Sequence, residues 1–409
     1  MSKISVPARP LPAGRTWGSA LIIAGTTIGA GMLAMPLTSA GMGFGLTTLA
    51  LLSMWALSAC TALQFAEVYR SHPAREGLAS LTEHYFGPAG KWVVTVILLL
   101  FMYAISAAYI SGGGSLLGGV LPLSTTSSSV LYALLVAVAV LLGTRAVDGL
   151  TRVLFALKLA VLALILALVL PRTTPQFLLT APQNPALYFS ALPIFFTAFG
   201  FHAVIPSVTE YLEGNQGELR RAILWGTGLP LAVYLLWQLA IHGLIPQGEL
   251  LQIGSLDELS AAIAQATGSA ALGLGVRAFS ALALTTSVLG VGLALLHSLR
   301  DVLSQRLPQR GSWLWLGLLT FVPPTLLATL YPRGFVALLG YAGLLAVLYT
   351  VLLPGLLVLR ARKQGLTKQA GAGPGASNTA VVWLTLAAGA AIVLIPLLTQ
   401  AGWLPAVQG

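Results

Sequence analysis

The stretch AGTTIGAGMLAMP, Ala24 to Pro36, decides the fold of this chain, and FFTAFGFHAVIP, Phe195 to Pro206, repeats its pattern half a chain later. Each stretch places glycine in the middle of an apolar segment and a proline about six residues further on. Glycine is a poor helix former, and proline lacks the N–H that a helix needs. Where an apolar segment crosses lipid, such breaks occur only beside protein or a polar cavity that satisfies the freed backbone groups.

The composition is that of a membrane protein. Of 409 residues, 57% are hydrophobic and only 8% are charged, and the mean hydropathy is +0.88. A soluble domain carries roughly 25% charged residues. Because a spanning helix needs about 20 apolar residues, the sequence predicts an all-α polytopic membrane protein with eleven transmembrane helices, at 17–40, 44–69, 92–121, 129–144, 148–171, 186–211, 221–245, 269–299, 312–331, 334–359 and 379–400.

The net charge of +10 lies in loops on one side of the predicted membrane. Most of the 21 Lys and Arg residues fall in the N-terminal tail and in every second loop, whereas only Arg172 and Arg333 fall in the loops between. This positive-inside bias predicts a cytoplasmic N-terminus and an outside C-terminus. We therefore expect the basic residues to face a lipid bilayer and no nucleic acid.

The predicted spans divide into two sets of five, so the second set enters the membrane from the opposite side. The predicted organisation is an inverted five-plus-five repeat in which helices 1 and 6 are broken, followed by one extra C-terminal helix. Its segments are a cytoplasmic N-tail at 1–16, a first repeat at 17–171, a second repeat at 186–360, a Gly/Ala/Ser-rich linker at 361–378 and the eleventh span at 379–400.

Motifs for catalysis or ATP hydrolysis are absent from the sequence. The eleven acidic residues fall near span ends or in loops, and neither an HExxH motif nor a P-loop is present. The sequence therefore predicts neither an enzyme nor an ATP-driven pump, and it implies no cofactor and no metal site.

The matched breaks instead indicate the substrate site of a transporter. Both lie near mid-membrane, where a half-helix N-terminus suits a carboxylate and a half-helix C-terminus suits an ammonium group. A zwitterionic amino acid is thus the expected ligand of Thr26, Thr27, Ile28, Gly29, Ala30 and Gly31 in the first break and of Phe199, Gly200, Phe201 and His202 in the second. The alternative for Gly29 and Gly31 is close helix packing.

Lys158 is the most informative side chain, because a lysine at mid-bilayer costs about 2.5–3.5 kcal/mol and normally faces a partner or a cavity. We expect its ammonium to occupy the place of a sodium ion between spans one and eight, beside carbonyls near Thr26 or Thr27 and the hydroxyls of Thr285 and Thr286. There it would exchange a proton during transport. The alternatives are snorkelling of the lysine to the surface and hydroxyls bonded to their own helix.

Aromatic and histidine side chains lie at the same depth. Tyr103 is a candidate partner of a substrate carboxylate, since its hydroxyl needs a hydrogen-bond partner. His202 has two functional interpretations, a hydrogen bond to a phenolic or indole group of the substrate and a proton shuttle. Its structural interpretation is a cap of the broken helix. The surrounding phenylalanines indicate either an aromatic pocket or ordinary helix packing.

Four motifs resemble the bacterial hydroxy/aromatic amino acid permease family. They are Ala24 to Pro36, Phe101 to Gly112 (FMYAISAAYISG), Ile194 to Ser207 (IFFTAFGFHAVIPS) and Tyr331 to Gly343 (YPRGFVALLGYAG). The resemblance implies eleven spans, the inverted fold of the amino acid–polyamine–organocation superfamily, and uptake of tyrosine or tryptophan with protons across the bacterial inner membrane.

The resemblance also implies roles for individual residues. It assigns the broken segments to Thr27–Gly31 and Phe199–His202, and it gives Lys158 the place of the second sodium ion. One departure is Ala198, where the family usually has serine, so a hydroxyl near the site is lost. The predicted function is proton symport of aromatic amino acids, tyrosine first, with tryptophan or phenylalanine as other substrates. The alternatives are a sodium-coupled symporter, an uncoupled exchanger and, from another class, an amino acid receptor.

Overall fold

The computed structural model describes residues 13–73, 76–303, 312–332, 334–365 and 378–407, and this part of the chain contains helices but no strand. The helices of the first half are α1 (Ala13–Thr27), α2 (Gly31–Ser39), α3 (Gly43–Val68), α4 (Leu78–Gly118), α5 (Thr125–Leu141), α6 (Thr144–Val169) and α7 (Pro175–Leu178). Those of the second half are α8 (Leu187–Thr197), α9 (Ile205–Tyr211), α10 (Gln216–Leu244), α11 (Gln247–Leu250), α12 (Leu256–Thr267), α13 (Ala270–Leu303), α14 (Ser312–Leu330), α15 (Phe335–Val347), α16 (Leu353–Lys363) and α17 (Thr379–Gln400).

The long helices are apolar. Within the described ranges, nine helical runs are long and apolar enough to cross a membrane, and α5 is an apolar helix of shorter length. Helical residues occupy each of the eleven ranges that the sequence predicts as spans. The chain is therefore an all-helical, polytopic membrane protein.

Two connections are more ordered than plain loops. Helix α4 begins at Leu78, and its first turns are joined to the rest of the helix by a bend at Gly87. Gly87 has a positive φ of 71°, which glycine adopts at no steric cost. The connection that follows α10 forms α11 and α12, and Asp257 of α12 makes an ion pair with Arg277 of α13. Most of the predicted linker at 361–378 lies outside the described residues.

Helix packing brings the two halves of the chain together. Helix α1 packs on α10, and α3 packs on α8; likewise α4 packs on α15, and α6 packs on α13. Close approach is possible where glycine faces a neighbour. A Cβ at Gly343 of α15 would overlap the carbonyl oxygen of Pro193 in α8. This packing sets the interrupted helices at the centre of the bundle.

Candidate substrate site

The first break lies between α1 and α2 and leaves residues 28–30 outside any helix. Helix α2 starts at Gly31 without a side-chain cap, and the Ala30 N–H donates to Ser287 Oγ at 3.3 Å. The first N–H groups of a helix have no carbonyl one turn earlier to bind. This end of α2 therefore offers backbone donors and the positive end of a helix dipole.

The second break lies between α8 and α9. The chain leaves α8 at Thr197, makes tight turns in which Gly200 N donates to Thr197 O at 3.2 Å, and re-enters a helix through a short 3-10 segment, His202–Val204. In both halves the break falls at glycine. The prolines six or so residues later belong to the helices that follow, since Pro36 lies inside α2 and Pro206 in the first turn of α9.

Tyr234 of α10 holds the two breaks together. Its hydroxyl lies 2.6 Å from Thr27 O and 2.9 Å from Ala198 O, so its single hydrogen can be donated to either carbonyl oxygen. Gly31 also lies against the second break, because a Cβ there would be 2.8 Å from Ala198 Cα. Gly31 thus has both features that the sequence suggested as alternatives, because it borders the first break and permits close packing of the backbone against the second.

A cavity of about 490 Å³ lies between the two breaks. All nine residues of α2 are buried, so the cavity is closed on that side. Thr26, Ala203, Gly290 and Ala294 are exposed, so it opens along α1, the segment before α9 and the last turns of α13. Its other lining residues include Gly25, Thr27, Ile28, Gly29, Gly31, Phe101, Met102, Ile105, Tyr109, Thr151, Phe155, Lys158, Thr197, Ala198, Gly200, Val204, Thr286, Ser287, Val291 and Tyr349.

Lys158 of α6 reaches into this cavity and is 2% exposed. Its Nζ donates to Ile28 O at 2.7 Å and to Thr286 Oγ1 at 3.5 Å. The carbonyl is one residue beyond the Thr26 and Thr27 positions expected from the sequence. The Thr286 hydroxyl also donates within its own helix, to Leu282 O or Ala283 O. It therefore offers a lone pair to the lysine while bonding its own helix.

Four other predicted site residues direct their hydroxyls to helix partners and not to the cavity. Thr285 turns to the neighbouring helix, where its hydroxyl is 3.1 Å from Tyr132 OH. The Tyr103 hydroxyl donates to Leu319 O at 2.8 Å, on the far side of α4 from the cavity. Thr26 and Thr27 line the cavity, but their hydroxyls donate to their own helix, to Ile22 O and Ile23 O.

The second break contributes backbone rather than aromatic side chains. Phe199 and Phe201 are fully buried, and the Phe199 ring packs against Tyr234. His202 Nε2 lies 2.9 Å from Thr61 Oγ1 of α3, and its ring stacks on Phe201. The His202 ring thus contacts α3 and Phe201, caps neither part of the broken helix, and lies outside the residues that line the cavity.

Sequence reasoning missed several residues that the fold brings to the breaks. Ser287 and Tyr349 line the cavity, and Tyr234 joins the breaks. Tyr109, one of the aromatic residues that the sequence places at the depth of the site, also lines the cavity. Tyr109 lies in α4 six residues after Tyr103, on a different face of the helix. The depth of a residue can be read from the sequence, but the face that it presents requires the packing of neighbouring helices.

The fold and the site define an integral membrane transport protein with two interrupted helices around a closed-ended cavity. The family model described as tryptophan/tyrosine permease family matches residues 13–395, and the chain belongs to this family. Over 97% of its length it is 45% identical to all of Haemophilus influenzae "Tyrosine-specific transport system 1".

Two further relatives show the same relationship. Haemophilus influenzae "Tyrosine-specific transport system 2" is 46% identical, with 97% of this chain and 99% of the relative covered. Pseudomonas aeruginosa "Tryptophan-specific transport protein" is 31% identical, with 95% of each chain covered. These relatives are named as transport systems, so the chain is a transporter and not an enzyme.

Proposed function

We propose that this protein imports aromatic amino acids, tyrosine first, together with protons by alternating access. The observation that carries the proposal is the meeting of both broken helices and the buried Lys158 at one cavity. Two of its relatives are named for tyrosine and one for tryptophan, which supports an aromatic substrate.

The backbone of the breaks is suited to the charged ends of an amino acid. The uncapped start of α2 offers N–H groups for a carboxylate. Thr197 and Ala198, at the C-terminal end of α8, also line the cavity, and the carbonyl oxygens of a helix C-terminus suit an ammonium group. The substrate can thus be held without an acidic side chain, and none of the residues lining the cavity is acidic.

The rest of the cavity is suited to an aromatic ring. Phe101, Met102, Ile105 and Val291 form an apolar wall, and the Phe101 ring lies 5.3 Å from the ring of Tyr349. The volume of about 490 Å³ falls within the roughly 300–1,000 Å³ of small-molecule pockets. The hydroxyls of Tyr109 and Tyr349 are candidate partners for a polar group on the substrate ring.

Lys158 supports coupling to protons rather than to sodium. Its ammonium bonds a carbonyl of the first break and a hydroxyl of α13, so a cation already lies between these two elements. Loss of its proton would weaken that link, because a neutral amine donates weaker hydrogen bonds than an ammonium, and would make it easier for the first break to move against α13. A sodium ion at the same place would be repelled by the protonated lysine.

Helix packing supports eleven spans in an inverted repeat. Counted as spans, α1 and α10 belong to spans one and seven, and α8 and α3 belong to spans six and two. Exchanging the two halves of the chain therefore turns the first of these contacts into the second. In the same way, the contact between α4 of span three and α15 of span ten becomes the contact between α13 of span eight and α6 of span five. Each contact thus has the counterpart that a two-fold relation demands. With a cytoplasmic N-terminus in the bacterial inner membrane, the cavity mouth faces the cytoplasm.

The test is uptake of labelled tyrosine into proteoliposomes containing the purified protein. With sodium absent, an inward proton gradient is expected to drive accumulation, and tyrosine addition is expected to acidify the lumen. Competition with unlabelled tyrosine, tryptophan and phenylalanine ranks the substrates, and glutamine serves as a non-aromatic control.

The rival functions predict different outcomes. A sodium-coupled symporter accumulates tyrosine only under a sodium gradient. An uncoupled exchanger equilibrates tyrosine without proton entry, and a receptor binds tyrosine but does not move it. Any of these results would contradict proton symport.

A further inference from the structure

The aromatic ring beside Lys158 has no part in the coupling scheme described so far. The centroid of the Phe155 ring lies 4.6 Å from Lys158 Nζ. Both residues are on α6, three positions apart, so they share one face of the helix. Opposite the ring is Gly25 of α1, where a Cβ would be 3.4 Å from Phe155 Cζ. Helix α1 therefore restricts the Phe155 ring to a position beside the Lys158 ammonium.

The ammonium has few other sources of stabilisation. Among the described residues, its hydrogen-bond acceptors are Ile28 O and Thr286 Oγ1, both uncharged. Among the lining residues that the structure describes, the titratable groups besides Lys158 are Tyr109 on α4 and Tyr349 just after α15, and none from α1, α6, α8, α13 or the segment before α9 is acidic. A positive charge with no carboxylate beside it depends on dipoles and on aromatic faces.

We propose that Phe155 is a third ligand of the Lys158 ammonium and that its ring keeps the coupling proton on the lysine. The negative face of the ring attracts the ammonium form and does little for the neutral amine. The ring therefore sets the pH range in which the coupling site is loaded. This inference rests on the proposed coupling role of Lys158, and Phe155 is a positioning residue that acts through it.

The rival role for Phe155 is plain packing against Gly25, and ring fluorination separates the two. Mono-, di- and trifluorophenylalanine keep the shape of the ring while they progressively weaken its negative face. A packing residue would tolerate the series, whereas a cation ligand would lose strength with each fluorine. Site-specific incorporation at position 155 also avoids the folding defects that truncation can cause.

The experiment measures proton-driven tyrosine uptake against pH in proteoliposomes, with tyrosine counterflow as the readout of a folded, cycling protein. In Phe155→Leu, the alkaline pH of half-maximal uptake should fall by about one unit, a roughly tenfold loss in proton affinity. The fluorinated series should move the midpoint the same way in proportion to fluorine content, and Phe155→Trp should return it to the wild-type value or above. Phe189→Leu, at an exposed phenylalanine of α8, is the matched control and should leave the midpoint unchanged.

Two results would overturn the proposal, and they are distinguishable. An unchanged midpoint across the fluorinated series, with counterflow intact and the wild-type protein coupled, overturns the role of Phe155 alone. Wild-type protein that moves tyrosine without protons contradicts the coupling function, and the Phe155 inference falls with it.

Discussion

At the scale of single residues, Lys158 determines how the site can work. A lysine buried to 2% exposure would be costly to leave unpaired, and here it bonds the carbonyl of an interrupted helix instead of a carboxylate. A carboxylate would hold the proton permanently at neutral pH, whereas a carbonyl and a hydroxyl hold it less tightly. The choice of neutral partners thus suits the role proposed for Lys158, in which the group gives up its proton in every cycle.

Replacement of Lys158 by alanine is expected to abolish proton-driven accumulation. One proton entering down 100 mV supplies about 2.3 kcal/mol, enough for roughly fifty-fold accumulation. Without the lysine, the ratio of internal to external tyrosine should fall to about one. Uptake at steady state in proteoliposomes measures this ratio.

The matched control for that variant is Lys91→Ala. Lys91 pairs with Glu83 and is partly exposed, so its loss should leave accumulation unchanged. Normal accumulation by Lys158→Ala would falsify the coupling role.

Site residues differ in how visible they are from sequence. Lys158 is conspicuous because charged residues are rare in the middle of apolar segments and usually face a partner or a cavity. Tyr234 and Phe155 carry no such signal, since aromatic residues are frequent in apolar helices and their partners lie far away in the chain. Thr285 and Thr286 differ by about 100° around the helix axis. Only the packing of α13 decides which of them meets the lysine.

At the scale of elements, close contacts between helices depend on glycine at particular positions. In α15, a Cβ at Gly343 would overlap the Pro193 carbonyl oxygen and come too near Thr197 Oγ1. Three residues earlier, a Cβ at Gly340 would make an ordinary contact at 3.6 Å from Ile194 Cγ1. Two glycines on one helix therefore make very different demands on their neighbours.

Gly343→Ala should destabilise the protein by about 1–3 kcal/mol, because α15 must retreat from α8 and the wall of the cavity moves with it. Thermal unfolding in detergent measures the effect as a lowered Tm. The matched Gly340→Ala should keep or raise the Tm, since alanine favours a helix over glycine by up to about 1 kcal/mol. Equal effects of the two substitutions would contradict the packing argument.

The interruptions themselves were predictable at this scale, and their boundaries were predicted only in part. Mid-span glycines identified both breaks, because glycine is a poor helix former. Within a membrane, the backbone groups freed by such a break occur only beside protein or a polar cavity. The proline of each motif was a weaker guide, because Pro36 and Pro206 lie inside helices that form after the break. Pro206 lies in the first turn of α9, where backbone N–H groups have no helical partner, so it costs that helix no hydrogen bond. Pro36 lies five residues into α2 and removes one hydrogen bond there without ending the helix.

At the scale of the whole molecule, the cavity is open at one end and closed at the other. The closed end is made by α2, whose Ser39 hydroxyl lies 2.9 Å from His242 Nε2 of α10. Gln247 of α11 also donates to Ala40 O at 2.9 Å. The connection after α10 therefore contributes to this closure.

Thiol labelling tests which end is open. In a Cys60→Ser background, which removes the only cysteine, Ala294→Cys should react with a membrane-impermeant reagent in inside-out vesicles, and tyrosine should slow the reaction. Ala283→Cys on the same helix, at a fully buried position, should stay unlabelled. Labelling of position 294 only in right-side-out vesicles would reverse the proposed orientation.

The hydroxyl of Tyr234 has a consequence for how the halves communicate. A hydroxyl carries one hydrogen, so the carbonyls of Thr27 and Ala198 compete for it. A stronger bond to one carbonyl weakens the bond to the other, and a ligand that pulls on either break therefore changes the hold on its counterpart. Tyr234 thus couples the two breaks, because a ligand at one break is expected to change the hydrogen bond that Tyr234 makes to the other.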